Sequence, residues 1–206
     1  MPEHALAGIN VLDLTNNIGG AYCTKLLADL GATVMLVEPP DSGHPLRHVG
    51  PFLGGEPNVD KSGQFLYFST NKRSIALDIE KQHDRETIRA LASKSDLIVE
   101  TYKPGVLEQY GLGYGVLQSN NPRTVLTSIT HFGQTGPYRG WEGEEIVDYA
   151  LGGYMYFGGN AEREPLMVHD NQPQLNAGMQ GAIASLAALW WARKSGKGQH
   201  IDVSAL

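Results

Sequence analysis

Apolar and polar positions along these 206 residues fall into short blocks that switch between strand-like and helix-like spacing. Ile9–Leu14 (INVLDL) is a short, mostly apolar run of the kind a strand covered on both faces requires. Gly19-Gly20 then opens a helix over Ala21–Leu30, in which Leu26, Leu27 and Leu30 form an inward stripe. Gly31 suits the left-handed residue that ends such a helix. Thr33–Glu38 (TVMLVE) reads as a second strand, stopped by Pro39-Pro40. Strand, helix and strand together span roughly 30 residues, the size of a βαβ unit.

The remaining blocks keep the alternation. After a polar, Gly/Pro-rich stretch at 39–63, which reads as a long functional or mobile loop, come a strand at Ser74–Asp78 and a helix from about Asp84 to Lys94. Asp84 is its expected N-cap. Leu97–Glu100 is a further strand, Pro104 opens a short helix ending before Gly111, and Thr124–Thr130 supplies a β-branched strand. Gly143–Phe157 reads as helical, broken at Gly152-Gly153. The longest helix is predicted over Leu175–Lys194, with Leu175, Met179, Ile183, Leu186 and Trp190 at helical spacing. Arg193 and Lys194 complement its dipole, Gly196 stops it, and Gln199–Ser204 forms a last strand. Five or six short strands alternating with helices predict an α/β fold, a Rossmann-like open parallel sheet with helices on both faces. Ligands of such sheets sit at the carboxyl ends of the strands, so the loops after Leu14, Glu38, Asp78, Glu100 and Thr130 are the ones to inspect.

Composition narrows the function classes. A formal net charge of −6 argues against a nucleic-acid surface, which needs a basic excess. The single cysteine, Cys23, excludes an intramolecular disulfide and fits a reducing, cytoplasmic setting. MPEHALAGIN lacks the basic and apolar regions of a secretory signal. The longest apolar run, Ala182–Ala192, carries Ser185 and falls short of the ~20 residues of a membrane span.

Several local motifs fail on their own chemistry. TNNIGGA at Thr15–Ala21, with Glu38 following, resembles a dinucleotide turn but has only two adjacent glycines, too few for G-x-G-x-x-G. Ser195-Gly196-Lys197-Gly198 follows a helix, whereas a phosphate loop must precede one. His44 and His48 have no helical metal face because Pro45 lies between them, so no metal site is expected. Cys23 reads as a small buried hydrophobe. The cluster Asn71-Lys72-Arg73-Ser74 fits either a solvated strand entry or a contact to the phosphates of an anionic ligand. Glu144, Glu145 and Asp148 fit either acid/base groups or a solvated first turn that favours the helix dipole.

Six blocks taken in order carry a family likeness: GINVLDLT, LLADLGATVMLVEPP, NKRSIALD, LIVETYKPGVLEQYGLGY, SITHFGQTGPY and RKSGKGQHIDVS. With these blocks the chain resembles the family III coenzyme A transferases, the group that includes formyl-CoA transferase, carnitine CoA-transferase and α-methylacyl-CoA racemase. The resemblance covers essentially the whole chain and corresponds to the first half of the family's fold. It implies one Rossmann-like large domain over residues 1–206, truncated at its C-terminal end, and interlocked homodimers in full-length form. The implied substrates are an acyl-CoA and a carboxylic acid, with no permanently bound cofactor.

The resemblance also implies a mechanism. In the family's transferases an aspartate at the start of the long helix attacks the thioester, and CoA thiolate reopens the resulting anhydride, which is covalent catalysis by a carboxylate. Here Gln174 stands at that position and lacks the carboxylate; Asp170, four residues upstream, is the substitute candidate. In the racemase branch a His-Asp pair occupies the block matching Gly143-Glu144-Glu145-Ile146, with Glu144 at the histidine. The implied readings are therefore a CoA-transferase, an acyl-CoA-binding subunit or paralogue without transferase chemistry, or a CoA-ester isomerase using Glu144 or Glu145. Pro39, Thr101 and Gln109 replace residues that often contact CoA in the family. Arg47, Lys72, Arg73, Leu77, Thr101 and Tyr102 are the candidates for lining the CoA channel.

Overall fold

The computed structural model describes residues 4–206. Six parallel strands make one sheet: β1 (Asn10–Leu14), β2 (Thr33–Glu38), β3 (Arg73–Ala76), β4 (Leu97–Glu100), β5 (Val125–Thr130) and β6 (His200–Ser204), in the order 3-2-1-4-5-6. The helices are α1 (Ile18–Asp29), α2 (Gly63–Phe68), α3 (Gln82–Ser93), α4 (Val106–Gln109), α5 (Tyr114–Asn120), α6 (Glu145–Leu151), α7 (Tyr154–Phe157) and α8 (Gln172–Ser195). The open α/β sheet is the one the sequence predicts.

Strand periodicity explains the two layers. Val11, Leu97 and Val125 face a core shared with α1 and α8, including Leu27, Ala182 and Leu189. Their neighbours Leu12, Ile98 and Leu126 face the opposite core, closed by Ile88 and Ala92 of α3 and Leu117 of α5. Strand order reverses between β1 and β4, which leaves a crevice at the carboxyl edge there.

Elements differ from the sequence expectations at five places. The stretch at 39–63 is not a plain loop: it carries a 3-10 turn at Pro45–His48 and leads directly into α2. Neither α2 nor α5 has an apolar stripe long enough to declare itself. Asp84 does not cap α3, because its Oδ2 accepts the Asp78 N–H at 2.9 Å, and Lys81 holds the cap position without a side-chain bond. Leu30 is the C-cap residue of α1 and is half exposed rather than inward. In α8 the buried face is made of small residues, Ala177, Gly178, Gly181, Ala182, Ser185, Ala188 and Ala192, together with Leu189. Met179, Ile183 and Trp190 point outward.

The small-residue face has a steric cause. A Cβ on Gly178 would collide with the Gly19 carbonyl of α1, and one on Gly181 would meet Ile129 Cδ1 at 2.8 Å. Helices α1 and α8 therefore approach backbone to backbone, which longer side chains forbid. Among the described residues no helix is long and apolar enough to cross a membrane.

Candidate active site

The β1–α1 turn supplies one wall. Asn17 caps α1, its Oδ1 accepting the Gly20 N–H at 3.0 Å. Thr101, just past β4, accepts the Asn16 N–H and donates to Asn16 Oδ1, both at 2.8 Å, and so ties the two switch-point loops together. Gly20 lies so close beneath Thr15 and Thr101 that no side chain fits there. The glycine contact between α1 and α8 then brings the first turn of α8 over this loop, and Gln174 Oε1 accepts the Gly19 N–H at 3.1 Å.

The β5–α6 region supplies the opposite wall. His131 follows β5, and its Nδ1 lies 2.7 Å from Oδ2 of the buried Asp148 on α6. The hydrogen bond to Asp148 holds His131 above its usual pKa, against the opposing effect of burial; the charges of Asp148, Glu144 and Glu145 add to the rise. Gly143 packs against the imidazole so closely that a Cβ there would fall on the ring. Glu145 has both carboxylate oxygens buried without a well-formed hydrogen bond among the described residues. Burial, then the neighbouring Asp148, raises its pKa, while His131 and the Gln174 backbone N–H pull the other way.

Three cavities matter here, two of them lined by the start of α8. The first, about 390 Å³, runs along the carboxyl edge between Asn16, Thr101, Tyr102, His131 and Trp141. A small gap shares Asn17, Thr130 and His131 with it and reaches Gly19 and Gln174. The third, about 490 Å³, lies by Asp170, Asn171 and Leu175 and is walled by Tyr22, Tyr67 and Phe68. The first cavity therefore approaches the start of α8 only through His131 and its neighbours, and the largely aromatic chamber lies beside the same helix turn.

The predicted site residues separate into groups. Gln174 and Asp170 gather at the start of α8, and the charge of Asp170 acts on Glu145. Asp170 is exposed and, like Asn171, adopts positive φ (76° and 53°), which strains residues other than glycine. Glu144 is exposed at the N-cap of α6 and makes no side-chain capping bond. Thr101 and Tyr102 line the first cavity. Leu77 packs partly buried against the α3 core, and Arg73 is exposed.

Two basic residues are placed differently from the sequence expectation. Lys72 is buried, donating to Asp13 Oδ2 at 3.0 Å, the Ala21 carbonyl at 2.9 Å and Thr24 Oγ1 at 2.7 Å. All three ammonium hydrogens are thereby committed inside the protein, and none is free for a phosphate. Arg47 grips Glu38 through Nε at 2.6 Å and Nη2 at 3.0 Å and stacks on Phe65. It lines a separate cavity of about 310 Å³ beyond β2. These contacts with the guanidinium, Ser74 and the His44 N–H overcome burial and hold Glu38 at a pKa of about 2.

His131 is the site residue that sequence reading did not select. Its signal was present: a titratable side chain directly after a strand, in one of the loops where the fold places ligands. Its partner Asp148 was visible only as one of three acids on a helical stretch. Among the described residues no group of three or more His, Cys, Asp or Glu is arranged to hold a metal ion.

A sheet that reverses its strand order between β1 and β4, with the start of a long glycine-packed helix over the crevice, defines a doubly wound α/β protein. The chain belongs to CoA-transferase family III, whose family model matches residues 6–206. It is 40% identical over 196 residues to the succinyl-CoA:(R)-benzylsuccinate CoA-transferase subunit BbsE of Thauera aromatica, covering 95% of this chain and 47% of that protein. It is 35% identical to the succinyl-CoA–L-malate CoA-transferase beta subunit of Chloroflexus aurantiacus, covering 97% of this chain and 48% of that one. The crystal structure of a CAIB/BAIF family protein from Brucella suis superposes with a TM-score of 0.91 at 34% identity, covering 98% of this chain and 53% of that one. The chain spans about half the length of these relatives.

Proposed function

We propose that this chain carries the CoA-binding part of a CoA-transferase that moves CoA between an acyl-CoA thioester and a carboxylic acid. The observation that carries the reading is the first turn of α8, where Gln174 accepts the Gly19 N–H beside a small gap that shares Asn17, Thr130 and His131 with the cavity along the carboxyl edge. The family's thioester chemistry belongs at this turn, and the surrounding backbone N–H groups suit a developing oxyanion. The named relatives act on succinyl-CoA with benzylsuccinate or malate, which supports a dicarboxylic substrate pair. We place the full-length form in the cytoplasm as a homodimer with no permanently bound cofactor.

Anhydride chemistry needs a carboxylate, which Gln174 lacks. We assign that role to Asp170, an exposed acid at the rim of the aromatic cavity, held in a strained conformation beside the helix start. A specific observation favours a second reading. The amide at Gln174, in a chain similar to two proteins named as subunits, suits a CoA-binding subunit whose nucleophile comes from a partner.

Incubation with succinyl-CoA and hydroxylamine, followed by mass spectrometry, separates the two readings. A hydroxamate at Asp170 that Asp170→Asn reduces to background supports the transferase. CoA binding without capture supports the subunit. Solvent deuterium entering the α-carbon of a bound acyl-CoA instead supports proton transfer by Glu144 or Glu145.

A further inference from the structure

We propose that His131, oriented by Asp148, is the proton carrier for the CoA sulfur, holding the free coenzyme as a thiolate beside Gln174. The inference rests on the CoA reading above and adds a residue to it. Three independent features of the geometry support it. His131 is the titratable side chain shared by the first cavity and the small gap that reaches Gln174, so a sulfur at the Gln174 side of that cavity lies against the imidazole. Its Nδ1 is committed to a buried carboxylate at 2.7 Å, which leaves Nε2 as the nitrogen that gains and loses a proton. Gly143 lies flat against the ring and prevents it from turning away.

The chemistry balances without any further reactant. When a carboxylate oxygen bonds to the acyl carbon, the C–S bond breaks and its electron pair moves onto sulfur. Imidazolium Nε2–H then neutralises that charge, by pairing with the thiolate or by giving it the proton. In the reverse half-reaction neutral Nε2 takes the thiol proton, and the thiolate attacks the anhydride carbonyl. A thiol beside an imidazolium is ionised far more readily than the ~8.5 of a free thiol. The charges acting on the imidazole come from Asp148 and Glu145 of α6 and Glu144 at its N-cap, all acidic, and they favour the protonated ring that this role uses, while Lys103, Arg139 and Glu142 line the same cavity.

The test uses the full chain with CoA and with dethio-CoA, which lacks the sulfur. Thiolate is read by its ultraviolet absorbance as pH is raised, and affinity by calorimetry. The expected result is a bound-CoA thiol pKa at least one unit below that of free CoA, roughly a tenfold gain in thiolate at neutral pH. His131→Gln restores the free value and weakens CoA more than dethio-CoA. Asp148→Asn keeps the ring but frees its tautomer, and is expected to lose the thiolate while dethio-CoA still binds. If dethio-CoA binds and bound CoA stays a thiol in the wild-type chain, the assignment of His131 is overturned while the CoA reading stands. If neither ligand binds, both fall.

Discussion

Asp13 sits at the carboxyl end of β1 with no exposure to solvent, and the protein surrounds it with Thr15, Thr24 and the Lys72 ammonium. Burial opposes its charge, but the Lys72 charge and the hydrogen bonds from Thr15, Thr24 and Lys72 outweigh it and hold the carboxyl below its ordinary range. Lys72→Met should therefore destabilise the fold by about 3–5 kcal/mol in urea unfolding, since it strands a buried charge. The double variant Asp13→Asn/Lys72→Met should recover part of that loss. Because the folded pKa of Asp13 is depressed, its stabilisation is complete above the unfolded value of about 3.9 and lost as pH falls through the folded one. The Lys72→Met variant should accordingly show a flatter loss of stability on acidification below about pH 4. At this scale the sequence was a poor guide. Lys72 stands beside Arg73 after a long polar stretch and reads either as a solvated strand entry or as a phosphate contact, because its buried acceptor Asp13 lies 59 residues earlier in the chain. His131 was missed for the same reason, since Asp148 becomes its partner only once α6 folds back over β5.

At the level of elements, α8 shows why spacing alone misleads. Leu175, Met179, Ile183 and Trp190 give it a regular apolar stripe, yet contact distance rather than hydrophobicity selects the inward face. Only the face bearing Gly178 and Gly181 lets the helix approach α1 closely enough for Gln174 to reach the Gly19 N–H. Gly178→Ala should push the two helices apart at their starts. We expect a cost of about 1–3 kcal/mol, typical of overpacking a tight contact, and a clear loss of CoA affinity by calorimetry. Gly115→Ala on α5, where an added Cβ meets nothing within 4 Å, is the control and should leave affinity unchanged. The strands, by contrast, were legible almost to the residue. A doubly covered parallel strand is apolar on both faces and announces itself in one short run, as Leu97–Glu100 does.

For the molecule as a whole, the alternation of strand and helix blocks was enough to predict the open parallel sheet. The pairings that build the site were not legible, because they join segments far apart in sequence. The outward face of α8 leaves Trp190 63% exposed, and α7 leaves Phe157 85% and Tyr156 88% exposed, large apolar side chains of the kind that mark association surfaces. Concentration-dependent self-association should therefore appear in sedimentation velocity. Trp190→Ser together with Ile183→Ser should weaken it by roughly tenfold or more. The hydrogen bond from Gly19 to Gln174 bridges 155 residues and closes the site at a seam between the first helix and the last. A ligand lodged in that seam acts as a clasp: its binding free energy is linked to the docking of the C-terminal third onto the loops that follow β1 and β4. The unloaded protein should hence carry its weakest cooperative unit at the place where it is loaded.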